Sequence, residues 1–137
     1  MPDPRHLFVY RTLRPTLAPP LIRDIVLRLV PAGPATIPGR LYDLGRYPGC
    51  KLDPTGDAQI HGQLLELPDP KLLVRLDWYE DYVASDEAGS LFVRRTAIAN
   101  LADGRALPAW VYEYNRTAPP ARLISSGRYD ARKPLPT

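Results

Sequence analysis

Asp77, Glu80 and Asp81 bring three carboxylates together at the end of one stretch, PDPKLLVRLDWYEDY. Leu72, Leu73, Leu76 and Tyr79 have the spacing of one buried helical side, with Asp69 as cap and Pro70 in the first turn. The charges run against the helix macrodipole: Lys71 and Arg75 lie in the first half, the acids at the end. Each carboxylate there is disfavoured by roughly 0.3 to 1 kcal/mol, and Asp77 and Asp81 add a like-charged i, i+4 pair. Stability alone does not select such an arrangement. In a negative local field at least one of the three should titrate upward, toward the range useful for proton transfer near neutral pH. Glu80 is the one that a helix can turn inward, four residues after Leu76 and seven after Leu73. The residues leave a second arrangement open, in which the helix ends near Trp78 and all three acids are solvated.

A second candidate feature is LFVYRTLR, residues 7–14. Leu7 to Tyr10 form an apolar run with strand propensity, and Arg11 and Thr12 break it. A strand that ends this way brings backbone N–H groups and a hydroxyl to the rim of a sheet, where ligand oxygens can be held; an ordinary loop after a buried strand is the alternative. Other chemistry is thinly represented. His6 and His61 read as strand residues satisfied locally, and Ser125 and Ser126 lack a G-x-S-x-G setting. Cys50 ends a Gly- and Pro-rich loop that allows exposure, but no histidine partner is identifiable. Tyr112 could lend its hydroxyl to a pocket, or belong to the core with Trp110 and Tyr114 on one strand face.

The elements that must position these groups follow in order. After the first strand, LIRDIVLRLV carries Leu21, Ile22, Ile25, Val26 and Leu29 on one helical stripe, stopped by Pro31, Gly33 and Pro34. Residues 35–42 are expected to be extended, with Pro38 at a bulge or edge. Residues 43–57 read as a long structured loop, and residues 59–67 as another strand. Residues 91–101 and 107–115 form an antiparallel hairpin around Asp103 and Gly104.

With 137 residues and 45% hydrophobic content, one domain over residues 1–137 is expected, with 116–137 open to being an extended basic tail. The 17 prolines have no period and argue for rigid loops. Net charge is +3, but Arg116, Arg122, Arg128, Arg132 and Lys133 against Asp130 put the last 23 residues at +4 and the first 114 at −1. This is a solvated basic end rather than a nucleic-acid groove, so no nucleic-acid partner is expected. One cysteine excludes an intrachain disulfide, and no Cys/His spacing suits zinc, so no metal site is expected. MPDPRHLF is not a signal region, and no apolar run approaches ~18 residues, so a cytoplasmic protein without membrane association is expected.

The stretch Val9, Tyr10, Thr12, Leu13 and Arg14 resembles the V-Y-G-T-L/S-R opening of the gamma-glutamylcyclotransferase-like superfamily, with Arg11 where that family has glycine. GRLYDLGRYPGC, LDWYEDY, AWVYEYN and SSGRY resemble later segments of the same family, in its order. The strand count and two helices suggest an α+β domain. The resemblance implies a small mixed β-barrel with the helices outside and a cofactor-independent reaction that releases 5-oxoproline and a free amine from a γ-glutamyl amine or peptide. It implies that Glu80 is the general acid/base; Tyr10, Arg11, Thr12, Leu13 and Tyr112 are the candidate contacts to the small-molecule substrate. Asp81 also replaces a family glycine, so a catalytically idle binding or interaction module stays open. Arg11 is then either a ligand for a substrate carboxylate or a plug that folds over the pocket mouth; the plug reading expects Arg11→Gly to raise or create activity.

Overall fold

In a computed structural model of the chain, residues 3–10 and 23–129 are described. The elements are β1 (His6–Val9), α1 (Arg23–Arg28), β2 (Val30–Asp43), β3 (Pro48–Leu52), β4 (Gln59–Glu66), α2 (Leu72–Tyr79), β5 (Phe92–Leu101), β6 (Ala106–Tyr114) and β7 (Leu123–Ile124). Strands β2, β4, β1, β6 and β5 pair in that order, and β5 pairs back onto β2 at Ala35–Leu101 and Thr36–Asn100, which closes a five-stranded barrel. Among the described residues all pairs are antiparallel except β1 with β6, where Leu7 lies beside Trp110. The expected α+β fold, a small mixed barrel flanked by helices, is what the chain forms.

Alternation along the strands builds two apolar layers. Phe8 and Tyr10 of the first strand segment join Ile37, Leu41, Cys50, Ile60, Leu64, Ala109 and Val111 in one. Leu7 points the other way and packs with Ile25, Val26, Leu29, Leu72, Leu73, Leu76 and Tyr112 in the second, the layer to which both helices contribute. The exposed Asp24–Arg75 pair, 2.6 Å, links the helices at their rim, where it adds little energy.

Three expectations need correction. The long loop over residues 43–57 contains β3, a strand antiparallel to the end of β2 with Leu41 opposite Cys50. Its Pro48 and Gly49 are there because of packing: a Cβ on Gly49 would lie 2.7 Å from Leu44 and 2.9 Å from Tyr114. Cys50 is therefore fully buried rather than exposed, and burial pushes its thiol up to about 12, so it stays protonated and unreactive. Finally, β2 starts at Val30, not Ala35: Pro31 and Pro34 lie in the strand, with a register irregularity between Pro31 and Gly33 and no β5 pairing until Ala35. Pro38 keeps register with Gln59 at a point that β5 no longer covers.

Over residues 116–129 the expected basic tail is attached to the barrel. Leu123 and Ile124 pair with Tyr42 and Leu41, Gly127 accepts a hydrogen bond from the His61 amide at 2.8 Å, and Arg116 donates to the Ser90 carbonyl at 2.8 Å. Among the described residues no helix is long and apolar enough to cross a membrane.

Candidate active site

The segment before α2 sets the direction of the helix. The Asp69 carboxylate accepts from the Lys71 amide at 3.0 Å, and the amides of Leu72, Leu73 and Val74 reach back three residues to Asp69, Pro70 and Lys71. Asp69 thus caps a tight leading turn, while Lys71 occupies the cap position of the helix proper. Burial of Leu72, Leu73 and Leu76 then fixes the rotation of α2 about its axis.

At the other end the three carboxylates separate. The Asp81 amide bonds to Trp78 O at 3.2 Å and the Tyr82 amide to Asp77 O at 2.8 Å, the paired bonds of a Schellman stop. Such a stop needs a left-handed residue, and Asp81 supplies it with φ 57°, the one non-glycine residue in that region among those described. This turn leaves the Asp81 side chain exposed and Glu80 only 8% exposed. The solvated arrangement of all three acids is therefore not adopted. Asp81→Gly is expected to raise stability by about 0.5 to 1 kcal/mol, since glycine takes this backbone conformation without strain. Urea denaturation checks it; a loss of stability would mean that the carboxylate makes a contact that outweighs the strain.

Asp77 takes a third course. On β5 and β6, Arg94 lies directly opposite Tyr112. Arg94 Nε and Nη2 donate to Asp77 Oδ1 and Oδ2 at 2.8 and 3.1 Å, and the Tyr112 hydroxyl donates to Asp77 Oδ1 at 2.6 Å. The guanidinium also lies 4.3 Å from the Trp110 ring centroid and 5.7 Å from that of Tyr82. The Asp77 and Arg94 side chains are 19% and 18% exposed. Desolvation would lower the Arg94 pKa, but the Asp77 contact outweighs it and the guanidinium is held above its ordinary range. Burial, with Asp77 and Glu80 adding to it, pushes the Tyr112 hydroxyl well above its ordinary value, so it remains a donor. The expectation that Asp77 acts on Glu80 as an uncompensated negative charge is corrected: Arg94 balances it.

Glu80 and Tyr112 line one small cavity together with Leu7, Val9 and Leu76, about 20 Å³ in volume and large enough for one water. Tyr10 also borders it, but its hydroxyl donates to the Tyr112 carbonyl at 2.6 Å, inside the barrel layer that holds Cys50. Of the residues singled out in the sequence, the structure brings Glu80, Tyr112 and Tyr10 together. Arg11, Thr12 and Leu13 lie outside the described residues. His61 lies elsewhere on β4, where burial and then Arg128 lower its pKa. Arg94 escaped the sequence reading; the hairpin register, which sets it opposite Tyr112, was the available signal.

The loop that follows Glu80 is pinned rather than loose. Ser90, 1% exposed, accepts from the Val83 amide at 2.9 Å and donates to Asp86 O at 2.9 Å. Asn115 Nδ2 donates to the carbonyls of Glu87 and Ser90 at 2.8 and 3.0 Å. Tyr82 is thereby held near Arg94, and the rim beside Glu80 keeps its shape.

A family model described as "Gamma-glutamyl cyclotransferase, AIG2-like" matches residues 7–131. Among solved structures, the chain is similar to an AIG2-like protein from Mus musculus (TM-score 0.70, 19% identity, 96% of this chain and 92% of that one). It is also similar to YkqA from Bacillus subtilis (TM-score 0.65, 22% identity), covering 92% of this chain but only 39% of that one. An uncharacterized protein, PH0828 from Pyrococcus horikoshii, superimposes with TM-score 0.55 at 17% identity over 90% of this chain and 87% of its own. At these identities the structures establish a shared fold. No curated protein matches the chain.

Proposed function

The chain belongs to the gamma-glutamyl cyclotransferase, AIG2-like family, and from that premise we propose that it converts a γ-glutamyl amine or peptide into 5-oxoproline and a free amine. The α-amine nitrogen attacks the γ-amide carbonyl carbon of the same molecule, a C–N bond forms, and the carbonyl oxygen takes up the negative charge. The bond to the leaving nitrogen then breaks as that nitrogen gains a proton. The α-nitrogen gives up two protons, one before it attacks and one after the C–N bond has formed; Glu80 takes each in turn and passes it to the leaving nitrogen, which departs as an ammonium, so atoms and charge balance without a co-reactant. Nucleophile and electrophile are already tethered, which leaves the protein to hold the folded conformer and move protons. The turn from Tyr10 to Leu13 supplies backbone N–H groups to the substrate carboxylate or the oxyanion in this reading.

The observation that supports it is the Glu80 carboxyl, 8% exposed in an apolar cavity while its two acidic neighbours are turned to solvent or to Arg94. A carboxyl held in a mostly apolar cleft marks a candidate site for proton-transfer chemistry. Asp81 no longer favours an idle module, because it performs a glycine's backbone task with its side chain outside. Arg11 still does. Wild type and Arg11→Gly incubated with a panel of γ-glutamyl amines and dipeptides are expected to yield 5-oxoproline by mass spectrometry, with the variant faster. If neither releases it from any member of the panel, the chain is a binding module of the same fold.

A further inference from the structure

We infer that the Tyr112 hydroxyl oxygen is a fixed hydrogen-bond acceptor for the α-ammonium of the ligand, and that Asp77 and Arg94 are positioning residues that fix its polarity. The inference rests on the γ-glutamyl reading of the site but concerns recognition rather than turnover.

A tyrosine hydroxyl has one proton to give and lone pairs with which to accept. The Tyr112 proton is committed to Asp77 Oδ1 across 2.6 Å, the short range of a bond to a carboxylate. Asp77 cannot turn away without losing the two-point contact from Arg94, and Arg94 is itself clamped against Trp110. What the Tyr112 hydroxyl has left to offer a ligand is therefore lone pairs only. The second polar group on that cavity is Glu80, near enough for its charge to act on the Tyr112 hydroxyl and, when ionised, also an acceptor. Two acceptors bordering one cavity are matched by a group with at least two N–H bonds and a positive charge. An oxyanion or a carboxylate would meet lone pairs and negative charge there. The end of the cavity between Tyr112 and Glu80 thus takes the α-ammonium, and the anionic parts of the ligand lie elsewhere. This placement also puts the proton that Glu80 must remove beside Glu80.

L-glutamine and glutaramic acid are suitable probes, since they share the carboxylate and the γ-amide and differ only in the α-ammonium. Binding of each to the full chain is measured by NMR titration. Wild type is expected to prefer L-glutamine, and Tyr112→Phe to weaken L-glutamine about 10-fold or more while glutaramic acid changes by less than about two-fold, the scale of one hydrogen bond to a charged group. Asp77→Asn keeps an oxygen that can hold both Tyr112 and Arg94 Nε and is expected to retain the preference; Asp77→Leu is expected to lose it. General structural damage would weaken both probes alike, so an equal loss in Tyr112→Phe overturns the inference. So does a wild type that does not discriminate, or a Tyr112→Phe that still does. If Asp77→Leu fails to fold, Tyr112→Phe and Asp77→Asn decide. Absence of 5-oxoproline release alongside an intact ammonium preference would sink the enzyme reading and leave this one standing.

Discussion

Glu80→Gln is expected to lower turnover of a γ-glutamyl substrate by roughly 100-fold or more, the usual scale for losing a general acid/base, while the protein folds normally. The helix stop should survive, because its bonds come from the backbone amides of Glu80, Asp81 and Tyr82 rather than from the Glu80 side chain. Glutamine preserves shape and cannot shuttle a proton. The base form is the active one at the start of the reaction, so kcat/KM should fall as pH drops through the Glu80 titration and recover above it. Carboxyl NMR titration and a pH–rate profile read the two sides of this expectation. Full activity in the variant would move the chemistry to another residue, and so would a pH–rate profile whose acid limb does not follow the Glu80 titration.

Arg94→Leu is expected to destabilise the fold by roughly 2 to 4 kcal/mol, because it leaves a carboxylate that is 19% exposed with Tyr112 as its remaining described partner. Most of that cost is the stranded charge rather than the worth of the ion pair. Asp77→Asn combined with Arg94→Leu should therefore be more stable than Arg94→Leu alone, a sign that a double-mutant cycle in urea detects directly. If Arg94→Leu lies within about 0.5 kcal/mol of wild type, the pair behaves as a surface ion pair and does not organise the site.

Much of this molecule was legible in its sequence where local chemistry agreed with the final packing. The apolar run before Tyr10 is a strand paired on both sides, and Asp103 and Gly104 turn the hairpin whose strands run Phe92–Leu101 and Ala106–Tyr114. The inward turn of Glu80 was one of two arrangements that its spacing after Leu73 and Leu76 allowed, and the Schellman stop selects it. What failed did so for reasons of tertiary contact. Pro48 and Gly49 carry turn chemistry, yet they sit in a strand paired with Asp43 and Tyr42, and glycine stands there because Leu44 and Tyr114 leave no room for a side chain. Asp77, counted as one of three like charges, is neutralised by an arginine 17 residues away. Nothing in α2 itself announces that partner. Choosing between Arg94 and its neighbour Arg95 required the register of two strands: Arg94 meets Asp77, while Arg95 turns outward to Glu87 and Glu113.

The parallel contact between β1 and β6, the one such pairing among the described residues, bears on how the protein is made. As the chain leaves the ribosome, β1 can pair with β4 once Glu66 has emerged, but its other edge stays open until residues 106–114 exist. For some 40 residues of synthesis the nascent sheet carries an unsatisfied strand edge of the kind that invites intermolecular pairing. The same strand, β6, brings Tyr112 and closes the wall beside Glu80. Completion of the barrel and assembly of the site are thus one late event, and a truncation within β6 would cost both together.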